Sequence, residues 1–344
     1  MTPPKKSELH GCLWMLISGI FTLIGYIILK NALPIPGIFA LALALGISIY
    51  LCIRLFGKPS RKTIIQEVVV IVVLFGILKL FILLFSMITP YIQKEGAFTK
   101  EDSVIKTIYI EDLDTIPVYS SNRVWRDNYG NDYSGSLTVR ERDYFNLKDY
   151  IKKYTPPSSD NFWGNLYDHI DRNDTPSLDM VMHTFETINA ERRLNQMEFA
   201  EMVVSCIQDI PYAFVFQEAC LPAHSYEDSI RQLLERCPDC CIGNMLYGIQ
   251  NPVSFLQNLK GDCDTRTVLI YSILKSFKYD VAILNSDYYK HSIIGINLPG
   301  SGLYKIYNGK RYMLWETTGK YFEAGDLPPS FDNVTYWNVV LTSK

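Results

Sequence analysis

Three residues in the C-terminal third have types and spacing that could do covalent chemistry. Cys263 follows Gly261-Asp262 at the start of an amphipathic stretch, His291 opens a strand-like segment, and Glu316 ends another. A thiol attacks only as its thiolate, and a helix N-terminus favours that anion through unpaired N–H groups and the helix dipole. A histidine on a neighbouring strand can take the proton and hold it as imidazolium, and a carboxylate on the next strand can fix the imidazole tautomer. The Cys263 N–H would face a developing oxyanion. Gly261 is expected to let the backbone turn sharply into the helix. The acidic neighbours Asp262 and Asp264 are expected to cap free N–H groups or face water. With the helix terminus, His291 and Glu316 acting in one direction, the expected Cys263 pKa lies below the free-thiol value of about 8.5.

The elements that must position these residues are legible as periodicity. Asp264–Phe277 puts Ile270, Ile273, Leu274 and Phe277 on one helical face, with Cys263 near it. Strand-like runs follow at Val281–Leu284, Ser292–Leu298, Leu303–Tyr307, Arg311–Trp315 and Val334–Leu341, with Asn308-Gly309 as a hairpin turn between the third and fourth. Upstream, Ser177–Leu194 and Gln196–Gln208 carry helical stripes that read as core. Tyr226–Arg236 reads as a further helix, with Ser225 and Asp228 at capping-box spacing. Ser103–Tyr119 alternates weakly as one or two strands, and Asn128–Gly135 is turn-rich. One helix followed by an antiparallel meander is an α+β layout.

These residues also carry a resemblance. Gly261-Asp262-Cys263-Asp264-Thr265-Arg266, Tyr279-Asp280-Val281, His291-Ser292-Ile293-Ile294-Gly295 and Trp315-Glu316-Thr317-Thr318-Gly319 occur in order, after Gln208-Asp209-Ile210-Pro211-Tyr212. The set resembles the transglutaminase-like superfamily of cysteine enzymes, in its bacterial and archaeal peptidase type, over about residues 195–330. The resemblance implies a papain-like α+β core with Cys263 as nucleophile, His291 as general base and then acid, and Glu316 as the orienting acid. Many members carry Asp at the third position, where Glu316 is one methylene longer. A further acidic residue often sits two places after the cysteine, where this chain has Thr265. Gln208 stands where an oxyanion-side glutamine would approach, although packing of the Ile-Pro-Tyr segment is the simpler reading. No cofactor is required for thioester chemistry, and no metal is assigned.

The other cysteines divide by position. Cys12 and Cys52 fall in or beside apolar runs, and Cys206 on a helical core face. Cys220, Cys237, Cys240 and Cys241 cluster; Cys220-x3-His224 and Cys237-x2-Cys240 have zinc-like spacing, whereas an extracytoplasmic address favours disulfides. Disulfide, zinc and free thiols stay open at this point. Adjacent Cys240 and Cys241 are not expected to point the same way, which leaves one as the odd cysteine.

Charge and hydropathy divide the chain at Gln93. Residues 1–93 hold 8 Lys/Arg and 2 Asp/Glu, so net +6; residues 94–344 hold 25 and 34, so net −9. The acidic part has no basic excess to meet phosphates, which argues against nucleic acid. Three apolar runs, about 13–29, 37–53 and 65–88, approach the ~20 residues that span a bilayer as a helix. The expected organisation is a membrane anchor over 1–93, an adapter over 94–155 and a catalytic domain over 156–344. Lys79 lies deep in the third run, but the acidic residue Glu67 is about 18 Å away along a helix, so an ion path is hard to build.

The sequence therefore reads as a membrane-anchored, extracytoplasmic thiol enzyme that transfers or hydrolyses acyl groups of amide bonds in a protein or peptide substrate. The rival is a non-catalytic binding or sensory module on the same fold. Six cations in the N-terminal segment and second loop (Lys5, Lys6, Arg54, Lys58, Arg61, Lys62) face three in the other connections (Lys30, Lys94, Lys100), which places residues 94–344 outside the cytoplasm. A phosphatase reporter fused after Lys344 should be active, and a reporter fluorescent only in the cytosol should be dark; the reverse pattern refutes the orientation.

Overall fold

A computed structural model describes residues 6–32, 37–57, 60, 65, 69–70, 98–99, 102–157 and 160–344. The chain divides into two compact units, Met1–Gln93 and Lys94–Lys344.

In the first unit, α1 (Lys6–Ala32) and α2 (Gly37–Phe56) pack side by side. Small residues allow this. Gly25 faces Ala44, where an added Cβ would stand 3.4 Å from the Ala44 Cβ, and Ser48 donates to the Ser18 carbonyl at 2.6 Å. Close packing plus an interhelical hydrogen bond is how apolar helices associate without a hydrophobic drive between them. Among the described residues, one stretch, Phe39–Phe56 in α2, is long and apolar enough to cross a membrane; Ile17–Leu29 in α1 is a shorter apolar stretch. That is one candidate span where three were expected. The expected third run, 65–88, lies almost wholly outside the described residues, as do the Lys79 and Cys12 side chains.

The second unit is mixed helix and sheet. It begins with β1 (Ile105–Glu111), β2 (Asp114–Arg126) and β3 (Asp132–Arg140), an antiparallel sheet in that order. Then come α3 (Glu141–Leu147), α4 (Phe162–Asp174), α5 (Asp179–Arg192) and α6 (Gln196–Gln208). Residues 94–155 belong to this same unit. The β2 and β3 side chains Trp125, Tyr133, Leu137 and Val139 share one core with Phe185 of α5 and Met202 of α6. Pairs of short strands and helices follow: β4 (Phe214–Val215), α7 (Asp228–Arg236), β5 (Cys241–Ile242), α8 (Pro252–Asn258) and α9 (Cys263–Ser276). The N-cap of α7 is Glu227 with no side-chain cap bond, so the Ser225/Asp228 spacing does not form a capping box.

The chain ends in a five-stranded sheet built from β6 (Val281–Ser286), β7 (His291–Ile296), β8 (Tyr304–Tyr307), β9 (Lys310–Trp315) and β10 (Asn338–Thr342), in the order β10-β6-β7-β9-β8. All four ladders are antiparallel. Asn308 and Gly309 both have positive φ (49° and 74°), the geometry of the two-residue turn that their types predict. Alternate residues divide the sheet's two faces. Val281, Ile283, Ile294, Ile296, Met313 and Trp315 join the core under α9; Ala282, Leu284, Ile293, Tyr312 and Leu314 pack with Leu327 and Trp337 from the C-terminal segment. A sheet covered on both faces explains why these strands read as nearly continuous apolar runs.

All four clustered cysteines are paired, Cys220 with Cys241 and Cys237 with Cys240. The adjacent residues Cys240 and Cys241 bond in different directions, so neither is odd, and no sulfur remains for a zinc ion. Peptides from unreduced protein should carry these two links. Changing Cys220 and Cys241 together to Ser should cost about 3 kcal/mol of unfolding free energy, the scale for a loop of this size. Free thiols at all four positions would refute the pairing.

Candidate functional site

The site forms where the N-terminus of α9 meets the ends of β7 and β9. Asp262 is the N-cap of α9, and its side chain accepts from the Thr265 amide at 3.1 Å, so Cys263 is the first helical residue. Its amide is one that a helix leaves without an internal partner. Gly261 does not have positive φ. An added Cβ there would come within 2.9 Å of the Phe255 and Thr265 side chains, so the glycine serves close packing rather than a sharp turn.

The structure brings the three residues together. His291 acts on the Cys263 thiol by charge and hydrogen bonding, favouring its thiolate, and His291 Nε2 meets Glu316 Oε2 at 2.8 Å. The other oxygen of Glu316 accepts from the Thr317 amide (3.0 Å), the Thr318 amide (2.7 Å) and the Thr318 hydroxyl (2.5 Å). Three donors on one oxygen and His291 on the other fix the orientation of that carboxylate toward the ring. The extra methylene of Glu is accommodated.

Thr267 holds the constellation in register. It lies one helical turn beyond Cys263, and its hydroxyl reaches the Ser292 carbonyl (3.4 Å) and the Thr317 hydroxyl (3.0 Å). One buried side chain thus ties the helix to the residue after His291 and to the residue after Glu316. Gln208 lies behind Glu316, donating to its carbonyl at 2.7 Å and to that of Phe322 at 3.1 Å. It braces the backbone that carries the carboxylate and is not an oxyanion-side residue. Arg266, fully buried, donates to the Gly261, Ile207 and Pro211 carbonyls and lies 5.6 Å from the centre of the Tyr212 ring. Sequence periodicity marks Arg266 and Thr267 only as positions on a buried helix.

Electrostatics differ from expectation at the thiol. Burial and the Asp264 carboxylate push the Cys263 thiol up, and His291 pulls it down without overcoming them. Asp264 does not face water. It is half-buried and turned inward: its Oδ1 accepts from the Tyr167 hydroxyl at 2.6 Å, and that hydroxyl accepts from Asn285 Nδ2 at 2.8 Å. Burial raises Asp264 above the usual carboxylate range, and burial plus Asp264 raise Asp262 to about 8. For His291, burial favours the neutral ring, but the Cys263 and Glu316 charges outweigh it and lift the imidazole well above its ordinary value. Burial acts against the Glu316 anion as well, yet His291 and Thr318 hold it below the ordinary glutamate value. The three groups therefore favour an imidazolium between two anions once the thiol ionises.

Tyr167 and Asn285 are not apparent as site residues from the sequence. Helix α4, which carries Tyr167, shows Leu166, Tyr167 and Ile170 at helical spacing, but Gly164, Asp168, Asp171, Arg172 and Asn173 obscure that pattern. Among the described residues no cluster of three metal-ligating side chains occurs. No family model, curated protein or solved structure matches the chain.

The charges around the thiol make the pH response of Cys263 alkylation diagnostic. Ionised Asp264 disfavours the thiolate, so Asp264→Asn should move the midpoint to lower pH; His291 favours it, so His291→Ala should move the midpoint up. Iodoacetamide labelling across pH, read by mass spectrometry at Cys263, checks both signs. The raised Asp262 has a second consequence. A carboxyl that stays protonated to a higher pH when folded than when unfolded loses stability as pH rises from about 4 toward about 8. Asp262→Asn, which can still cap α9, should flatten that decline in urea unfolding curves; an unchanged slope would show that Asp262 ionises normally.

Proposed function

We propose that residues 94–344 form a thiol enzyme with a papain-like, transglutaminase-like core, which performs acyl transfer or hydrolysis on amide bonds of a protein or peptide substrate. The observation that carries this reading is the unbroken chain of contacts from Cys263 through His291 to Glu316, with the thiol at the first position of a helix. In the mechanism this geometry supports, His291 takes the Cys263 proton and the thiolate attacks the amide carbon. The oxyanion that forms is placed for the Cys263 N–H. The imidazolium then gives its proton to the leaving nitrogen as the C–N bond breaks and the thioester remains. Water or an amine, deprotonated by His291, attacks the thioester and returns the thiol. Glu316 keeps the ring oriented and stabilises the imidazolium at each stage.

A membrane anchor with the catalytic unit on the extracytoplasmic side fits this reading. Support comes from the apolar helix α2, from the loop charges, and from two disulfides, which persist in oxidising compartments. The rival binding module draws on the raised thiol, since an unreactive buried cysteine would have the same sign of shift.

Alkyne-tagged peptides with a glutamine side-chain amide or a scissile backbone amide separate the two. The intact chain in detergent should yield a tagged thioester at Cys263, lost in Cys263→Ala. His291→Ala should slow its formation by about 10²–10⁴-fold, the range for general acid–base catalysis. If neither peptide class acylates Cys263 and its alkylation is no faster than that of an ordinary buried thiol, the chain is a binding module.

A further inference from the structure

Beside His291 lies a wall of aromatic rings that the acyl-transfer chemistry does not use. The loop between β6 and β7 contributes Tyr288 and Tyr289; the segment before β10 contributes Phe331, Tyr336 and Trp337. The His291 ring centre lies 5.0 Å from that of Phe331 and 6.0 Å from that of Trp337. Tyr289 packs on both, at 5.3 and 5.5 Å. Tyr336 meets Tyr289 edge-on at 5.6 Å, and Tyr288 stacks on Tyr336 at 4.2 Å with 15° between the planes. Exposure rises outward along this series: Trp337 is fully buried, Tyr336 is 41% exposed and Tyr288 is 68% exposed. The inner rings complete the core beneath the sheet. The outer pair contribute little to that core and keep apolar surface in water; Tyr336 is linked to His291 through Tyr289 and then Phe331 or Trp337.

The position of the wall decides which part of a substrate would meet it. His291 must reach the nitrogen that leaves in acylation, and by microscopic reversibility the nitrogen that attacks the thioester occupies the same place. Whatever that nitrogen carries extends past the imidazole, away from the acyl carbon on Cys263. We infer that the Tyr288–Tyr336 surface binds the amine side of the reaction and selects amines that carry an aromatic or large apolar side chain, such as the α-amino group of an aromatic residue. A planar ring gains from stacking on exposed tyrosine faces, while a small amine has nothing to place there. This inference rests on the thiol-enzyme reading.

Acetyl transfer from p-nitrophenyl acetate tests it with a probe that needs no natural substrate. The thiolate displaces p-nitrophenolate and the acetyl–enzyme thioester forms. An amine then forms the C–N bond as the C–S bond breaks, its proton passing to His291 and the thiolate being released. The intact chain in detergent receives phenylalaninamide and glycinamide at equal concentration, and the two N-acetyl amides are quantified. The expected ratio favours phenylalaninamide by about tenfold, a scale set by partial stacking of one ring. Tyr288→Ala with Tyr336→Ala should bring the ratio near one, whereas Tyr288→Phe with Tyr336→Phe should retain it. Tyr109→Ala, at an exposed tyrosine of the other sheet, should retain it too. Failure of the wild-type chain to release nitrophenolate above the Cys263→Ala variant would overturn the thiol-enzyme reading, and this inference with it. A nitrophenolate burst followed by equal transfer to both amines, by transfer to water alone, or by a preference that survives the double Ala change would overturn the inference and leave the enzyme reading standing.

Discussion

The second unit depends on burying the charged entrance of α9. Asp262, Cys263, Asp264 and Arg266 follow one another within five residues, and all are buried or nearly so. A charged group taken out of water is costly unless it is hydrogen-bonded or neutralised. Each one here has a specific answer. Asp262 caps the helix, Asp264 meets the Tyr167 hydroxyl, and Arg266 is held by three carbonyls. Burial still lowers the Arg266 guanidinium, to about 10. The carbonyls of Ile207 and Pro211 belong to the end of α6 and the segment after it. Arg266 therefore locks α9 to that segment, and the position of Cys263 follows from that lock.

The sheet supplies the other half of the site by the same logic. His291 and Glu316 sit at the ends of strands paired through apolar residues, so the register is set by Ile294 against Trp315 and Ile296 against Met313 rather than by the polar pair. A one-residue slip would turn each apolar residue to the wrong face. The precision of the 2.8 Å His291–Glu316 contact is thus inherited from hydrophobic packing one to five residues away. Thr267 then transfers that register to the helix through two hydrogen bonds.

Backbone hydrogen bonds join the disulfide lobe to this centre. Ala213 donates to the Gly261 carbonyl at 3.3 Å, and the next residue, Phe214, donates to the Cys240 carbonyl at 3.0 Å. The cysteines that staple residues 220–241 are therefore connected, through a two-residue bridge, to the residue that precedes the Asp262 cap. The stability of that lobe and the placement of Cys263 are linked by this path.

Much of this layout was legible in the amino-acid sequence. The apolar periods of α5, α6 and α9 and the strand runs of β6 to β10 appear as helical stripes and two-sided apolar runs, and Asn308-Gly309 marks its own turn. These are local signals, because backbone geometry alone sets their repeat. Cys263, His291 and Glu316 could be singled out for the same reason, each at the boundary of a periodic segment. Tertiary structure decided what required knowledge of neighbours distant in sequence. The pairing of Cys240 and Cys241 in opposite directions depends on where Cys220 and Cys237 are carried. The role of Gln208 depends on the turn after β9, and the two hydrogen bonds of Thr267 on strands 25 and 50 residues away. The direction of the Cys263 shift was misjudged for the same cause. A sequence shows that a thiol opens a helix, which favours the anion, but not how far water is excluded or that Asp264 turns inward to Tyr167. Desolvation and a buried like charge are properties of the packed interior, and here they outweigh the helix terminus.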